Sequence, residues 1–248
     1  SNFNSKYPIY ADLHTHSISS GHGSEDTITD MIRCASESGL SLFGISDHGP
    51  ATSSSAKPSY FQSLKLADRD RFGIRVLYGA ELNIINTAGD VDLDDEILSA
   101  LDYAIISIHP PIFKPYHDKD LSSAYIRAMD HPKVRFLGHI DDARFPVDFE
   151  YLLEIAKEKH VYPEINNGSL MPDAYRINGQ ENCRRILSIC KKLDLPVLLS
   201  SDSHGKKNIG NMQYIFPLLE ELDFPAHLVL NSDPVSYTHL RAHETLSD

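Results

Sequence analysis

Apolar, β-rich runs alternate with segments of helical periodicity along almost the whole chain. Runs at 7–13, 41–45, 75–80, 103–108, 135–138, 161–166 and 197–201 predict strands, with a further short one at 227–230. Between them, helical spacing is read at 59–71, 121–129, 181–193 and 212–222. Two more helices carry start signals. Thr27, with Asp30 three residues on, caps a helix whose apolar face is Ile28, Met31, Ile32 and Ala35 and which Gly39 ends; Asp148 caps one carrying Leu152, Ile155 and Ala156. Strand–helix alternation implies a parallel sheet with crossover helices. An open doubly wound sheet would gather its ligands at one switch point. A closed barrel would bring the C-terminal end of every strand to one face.

The strand ends decide between the two. Asp12-Leu13-His14-Thr15-His16 closes the first run, and side chains two apart on a strand share a face, so Asp12, His14 and His16 are expected to point together. His48 follows the second run, Glu81 the third, His109 the fourth and His139 the fifth, while Asp202-Ser203-His204 follows the last. Among 13 histidines, roughly one His-x-His pair arises by chance. Repeated placement after six strands does not, and imidazole and carboxylate are the donors that zinc, manganese and iron accept. The pattern predicts a barrel-like single domain and a metal-dependent enzyme.

At 248 residues the chain can bury one substantial core. No stretch is apolar enough to cross a bilayer and no basic-then-apolar leader opens the sequence, so the expected location is cytoplasmic, with no membrane partner. A net charge of −12 argues against nucleic acid as the main partner, yet leaves room for an anionic substrate beside bound cations. Cys34, Cys183 and Cys190 form no CxxC; the last two share an apolar helical face with Ile186, Leu187 and Leu193 and read as reduced core residues. Ser1-Asn2 has the form of a tag scar. Residues 235–248 stop resembling the rest and read as a translated sequencing adapter, which makes 1–234 the domain and removes His239 and His243 from the ligand candidates.

The blocks Asp12-Leu13-His14-Thr15-His16, Ser46-Asp47-His48-Gly49-Pro50, Gly79-Ala80-Glu81-Leu82-Asn83-Ile84, His109-Pro110-Pro111, Gly138-His139, Glu164-Ile165-Asn166-Asn167 and Ser201-Asp202-Ser203-His204 carry a resemblance. In their order the chain resembles the polymerase and histidinol phosphatase (PHP) superfamily, and most closely its stand-alone YcdX-type phosphatases. The resemblance implies an α/β fold, a distorted seven-stranded (β/α)7 TIM-like barrel in one domain. It also implies three divalent metals: zinc, manganese or iron. His14, His16, Glu81 and Asp202 would hold the first; Glu81 would bridge to a second completed by His109 and His139; His22, His48 and His204 would take the third. No strand pattern finds His22, which lies in the loop 19–23. After His139 the YcdX-type pattern has a short Pro-Gly-Asn-like turn, where this chain has Ile140-Asp141-Asp142-Ala143-Arg144-Phe145-Pro146, a segment placed to reshape the substrate pocket.

The implied reaction is hydrolysis of a small-molecule phosphate monoester by a metal-bound hydroxide, with Glu81, Asp202 and His109 at the catalytic centre and no covalent phospho-enzyme. Asp12 is a candidate acceptor for a ligating imidazole N–H, and His117 a candidate proton donor. Arg144 and Lys114, with Lys206 behind them, are the candidates for binding the phosphate. Two other functions stay open: an amidohydrolase-like C–N or acyl hydrolase, and a metal-binding regulatory module without turnover. A homo-oligomer is compatible with the resemblance.

Overall fold

The computed structural model describes residues 4–115, 119–233 and 235; His117 and the tail 236–248 lie outside them. The strands are β1 (Ala11–Asp12), β2 (Thr15–His16), β3 (Leu42–His48), β4 (Asp70–Arg71), β5 (Ile74–Asn83), β6 (Tyr103–Ser107), β7 (Val134–Leu137), β8 (Tyr162–Asn166), β9 (Leu198–Ser200) and β10 (Ser203–His204). The helices are α1 (Ile28–Glu37), α2 (Pro58–Ser63), α3 (Asp95–Leu98), α4 (Ser122–Ala128), α5 (Phe149–Lys159), α6 (Asn167–Leu170), α7 (Gly179–Leu193) and α8 (Phe216–Glu221). Seven strands run parallel in the order β1-β3-β5-β6-β7-β8-β9 and nearly close into a barrel surrounded by helices. This is the expected TIM-like architecture.

The two-residue period sorts each strand into an outer apolar face and a graded inner one. Outward side chains such as Phe43, Ile45, Val76, Tyr78 and Leu82 pack with the helices in the main core. Inside, Leu42, Leu77, Tyr103, Ile105, Phe136 and Leu198 form a separate apolar floor. Above that floor come Gly44 and Gly79, where a Cβ would meet the Tyr103 hydroxyl at 2.2 Å and the Tyr103 carbonyl at 2.6 Å respectively. Tyr103 spans the interior and donates its hydroxyl to the Leu13 carbonyl. Above the glycines, the same inner faces end in Ser46 and His48 on β3, and in Glu81 and Asn83 on β5. A plugged bottom and a polar top therefore arise from one alternation.

The barrel closes by a side chain. Between β1 and β9 stands Asn231, fully buried, whose Nδ2 donates to the carbonyls of Ala11 (2.9 Å) and Leu199 (2.7 Å), and whose Oδ1 accepts from the Leu199 N–H (2.8 Å). A strand edge left unpaired here would bury unsatisfied backbone groups, so the amide substitutes for a ladder. Above it, β10 pairs in parallel with β2 and finishes the closure.

Several elements differ from the sequence expectation. The helix expected over 59–71 stops at Ser63, passes through a 3-10 turn at Leu64–Leu66, and gives way to β4, antiparallel to the start of β5. The backbone has already turned extended at Ala67 (ψ 144°), and the two-residue turn Phe72-Gly73, both at positive φ (50° and 77°), makes the tight hairpin that pairs β4 with β5. The helix expected over 212–222 begins only at Phe216, with Pro217 in its first turn, where a missing N–H is tolerated. The strand expected at 227–230 is instead two 3-10 turns, Ala226–Leu228 and Leu230–Ser232, with a single bridge from Val229 to Val197. Those turns deliver Asn231 to the seam. The Thr27–Asp30 capping box and the Asp148 cap form as expected, and Cys183 and Cys190 are buried in α7.

Replacing Asn231 by Ala removes three hydrogen bonds and strands buried partners on two strands. We expect a loss of about 3 kcal/mol in urea unfolding, with the slope of the transition unchanged. A loss below about 1 kcal/mol would show that the seam does not depend on this amide.

Candidate metal centre

Strand register sets the height of each functional side chain. The β3–β5 ladder places His48 opposite Glu81, and β2–β10 places His204 opposite His16. The β5–β6 ladder places Asn83 opposite Ser107. His14 occupies the break between β1 and β2, while His109 and His139 follow β6 and β7. His139 (φ 25°) and Asp202 (φ 55°) hold left-handed backbone that non-glycine residues rarely adopt; such strain persists only where the surroundings impose it.

Five contacts join four buried donor atoms. His14 Nε2 lies 3.1 Å from His16 Nε2, 3.1 Å from Glu81 Oε1 and 3.3 Å from Asp202 Oδ1. His16 Nε2 lies 3.3 Å from Glu81 Oε1 and 3.0 Å from Asp202 Oδ1. Bonds of about 2.0–2.2 Å in a tetrahedral zinc site place ligand atoms roughly 3.3–3.6 Å apart, close to this spacing. Asp202 Oδ1 is buried without a hydrogen-bond partner among the described residues, as an atom reserved for a cation would be. The donor set fits a divalent metal.

The other oxygen of Glu81 faces a second group. Its Oε2 lies 3.1 Å from His139 Nε2 and 3.3 Å from His109 Nε2, which are 3.1 Å from each other, and it accepts from Ser107 Oγ at 2.7 Å. In a third group, donor atoms of His16, His48 and His204 fall within 4.8 Å of one another. The exposed His22 stacks beside it, with ring centroids 5.0 Å from His48 and 5.3 Å from His204. All nine residues expected as ligands therefore gather at one end of the barrel.

Further side chains fix which imidazole nitrogen faces inward. His14 Nδ1 contacts Glu164, a buried carboxylate that also accepts from the His139 N–H (3.0 Å) and Asn166 Nδ2 (3.0 Å). His16 Nδ1 meets Ser20 Oγ at 2.8 Å; Ser20 donates onward to Asp47, which also accepts from Ser17 and from the Tyr60 hydroxyl. His109 Nδ1 meets Asn83 Oδ1 at 2.8 Å, and Asn83 is braced by Asp92. His204 Nδ1 meets the Asp202 carbonyl at 3.0 Å. An N–H committed at Nδ1 leaves the Nε2 lone pair free for a cation.

The acceptor for His14 is Glu164 and not Asp12. β1 ends at Asp12, and the break before β2 turns that carboxylate away to Ser201 and to the Gly210 N–H at 2.8 Å. Glu164, Asn83, Ser20 and Asp47 carry no metal-ligand spacing; the period of two links Asn83 to Glu81 on β5, but the rest come together only in the fold.

The electrostatics of the metal-free cluster are divided. Burial opposes protonation of His14 and His16, yet the surrounding carboxylates outweigh it, holding His14 well above the ordinary imidazole value and raising His16 to about 9. Burial and the neighbouring imidazoles push His48 well down and His204 to about 4, and burial and Arg176 lower His139. Burial would raise Glu81 and Asp202, but the imidazoles, joined by Arg176 at Asp202, keep both well below the carboxylate range. A proton thus stands between the carboxylates and His14 and His16 wherever no other cation does.

A cavity of ≈ 440 Å³ opens over the cluster, lined by His22, His48, His109 and His139 together with Arg144 and Arg176. Arg144 reaches it while bound to Asp142 through Nε (3.1 Å) and Nη2 (2.7 Å). Lys114 is exposed and, with Lys206, is not among the lining residues. Arg176, which no sequence pattern singles out, is buried and donates to Asp202 Oδ2 at 2.8 Å. Among the described residues, no helix is long and apolar enough to cross a membrane.

A family model for the PHP domain matches residues 12–168. A Clostridium acetobutylicum protein named "probable phosphatase" is 38% identical over 228 residues, covering 92% of this chain and 91% of its own. One of the same name from Clostridium novyi is 34% identical over 238 residues, covering 96% of each. The crystal structure of histidinol phosphate phosphatase from Lactococcus lactis, in complex with zinc, L-histidinol and phosphate, superposes with a TM-score of 0.59 at 20% identity, over 87% of this chain and 94% of that one.

Because His14 and His16 retain protons near neutral pH, a metal must displace them. Titrating metal-free protein with zinc in weak buffer is expected to release roughly two protons for the first ion bound. Apparent affinity should rise with pH from neutrality through about 9, where His16 loses its proton unaided. Metal uptake without proton release would show that His14 and His16 do not hold the ion.

Proposed function

We propose that this chain, which belongs to the PHP domain family, is a metal-dependent phosphatase that hydrolyses small phosphate monoesters at a trinuclear centre. The observation that carries the reading is the position of Glu81, whose Oε1 faces His14, His16 and Asp202 while its Oε2 faces His109 and His139. One carboxylate with an oxygen toward each group suits a bridge. His14, His16, Glu81 and Asp202 would hold one ion; Glu81, His109 and His139 a second; His22, His48 and His204 a third, as zinc, manganese or iron. When bound, such ions supply Lewis-acid stabilisation of phosphoryl oxygens and activate water near neutral pH.

The chain's own residues prepare that chemistry. Glu164, Ser20 and Asn83 hold the Nδ1 sides of His14, His16 and His109, so that their Nε2 atoms face inward before anything binds. Glu81, Asp202 and His109 form the centre of the site, and the burial of Glu81, with Asp202 only 9% exposed at its side chain, keeps bulk water from screening the carboxylates. Arg144, at the cavity wall, is the residue we assign to the phosphate or its leaving group, with exposed Lys114 left to a peripheral role. The cavity volume lies in the range of small-molecule sites and suits a compact ester. The relatives named as phosphatases, and the Lactococcus enzyme with its zinc and phosphate, support the same reading.

Protein ending at Pro234 should hydrolyse p-nitrophenyl phosphate, lose that activity to a chelator, and regain it with manganese or zinc. Folded protein inactive with every added metal would sink the proposal. His109→Ala, at a ring that borders the cavity, should lower kcat about 1000-fold while leaving the circular dichroism spectrum unchanged. Arg144→Ala should raise KM about tenfold with a smaller change in kcat. Unchanged kinetics in that variant would remove Arg144 from the substrate site.

A further inference from the structure

We propose that Arg176 is a positioning residue that confines Asp202 to single-oxygen contact with a divalent ion, and thereby sets the preference of the centre for zinc over manganese. This rests on the reading of the cluster as a metal centre. Arg176 belongs to the segment between α6 and α7 and is only 7% exposed. Its Nη2 donates to Asp202 Oδ2 at 2.8 Å, its Nη1 donates to Ser169 Oγ at 3.1 Å, and its guanidinium lies 5.3 Å from the centre of the Tyr175 ring. Asn166 Nδ2 donates to the same Oδ2 at 3.1 Å. A carboxylate oxygen offers two lone pairs, and both on Oδ2 are taken.

The opposite oxygen faces only the imidazoles of the cluster. Asp202 Oδ1 is buried, has no hydrogen-bond partner among the described residues, and lies 3.0 Å from His16 Nε2 and 3.3 Å from His14 Nε2. The left-handed backbone at Asp202 (φ 55°) fixes the direction from which the side chain arrives. The carboxylate is thus held at its root and at one oxygen, and only the other oxygen can reach the ion. Freed of its anchor, a carboxylate beside a cation can chelate with both oxygens and raise the coordination number. Zinc favours four ligands, whereas manganese favours six, mostly oxygen. Pinning Oδ2 therefore favours the smaller coordination shell.

The test is a comparison of ratios. Metal-free wild-type protein and Arg176→Met are each titrated with zinc and with manganese in competition with a chromophoric chelator. Loss of the guanidinium charge alters the attraction for both divalent ions alike, so the ratio of the two affinities isolates the coordination effect. We expect the preference for zinc over manganese to fall about tenfold in Arg176→Met. Arg176→Lys, which keeps the charge and one donor, should recover part of it. Should the Met variant fail to fold, the Lys variant carries the comparison, with a shift of about threefold expected. A wild-type ratio in the folded variants overturns this role for Arg176 alone. A wild-type protein that binds neither ion overturns the metal-centre reading, and this inference with it.

Discussion

The open end of the barrel depends on one buried carboxylate held between two groups of imidazoles. Glu81 is 1% exposed, and transferring a lone anion to such a place costs several kcal/mol. Neither Glu81 nor its neighbour Asp202 is alone, because five histidines lie within 3.3 Å of one or both. Each imidazole relieves the carboxylate only if something positive stands between them, a proton or a metal. That requirement shapes the rest: β5 must run as far as Asn83, β3 must keep His48 level with Glu81, and the barrel must taper from an apolar floor to a polar rim.

Around this core stand residues whose chemistry is modest and whose placement is not. Glu164, the Ser20–Asp47–Tyr60 chain and the Asn83–Asp92 pair each reach one imidazole from outside. They convert flexible rings into donors of one orientation and one tautomer, which removes ordering that a bound ion would otherwise have to impose. Each of them also ties two elements together, so the precision of the site and the closure of the barrel share the same hydrogen bonds.

The segment 140–146 is tied at several points to the chain that leads into α7. The Ala143 N–H donates to the Ile177 carbonyl at 2.9 Å, and the Ile177 N–H donates to Asp142 at 3.3 Å. Asp142 also holds Arg144, and Asn182 on α7 donates to the Asp141 carbonyl at 2.8 Å. The segment therefore braces the chain that carries Tyr175 and Arg176, and these two stretches together form one wall of the cavity.

The barrel and most of the cluster are legible in the local pattern of residues, for a simple reason. Periods of 2 and 3.6 depend only on neighbouring residues, and in a parallel barrel every strand's C-terminal end reaches one face, so local pattern alone brings His14, His48, Glu81, His109, His139 and Asp202 together. Where turn chemistry outranked helical composition, as at Phe72-Gly73, the local pattern misled. The direction of Asp12, the contact of Glu164 with His14, the role of Asn231 in the seam and the hold of Arg176 on Asp202 were decided only by the tertiary structure. Each of these joins residues far apart in sequence, from loops or interrupted strands, where no periodicity fixes a side chain's direction. Their geometry is set by the need to satisfy buried polar groups once the barrel has closed.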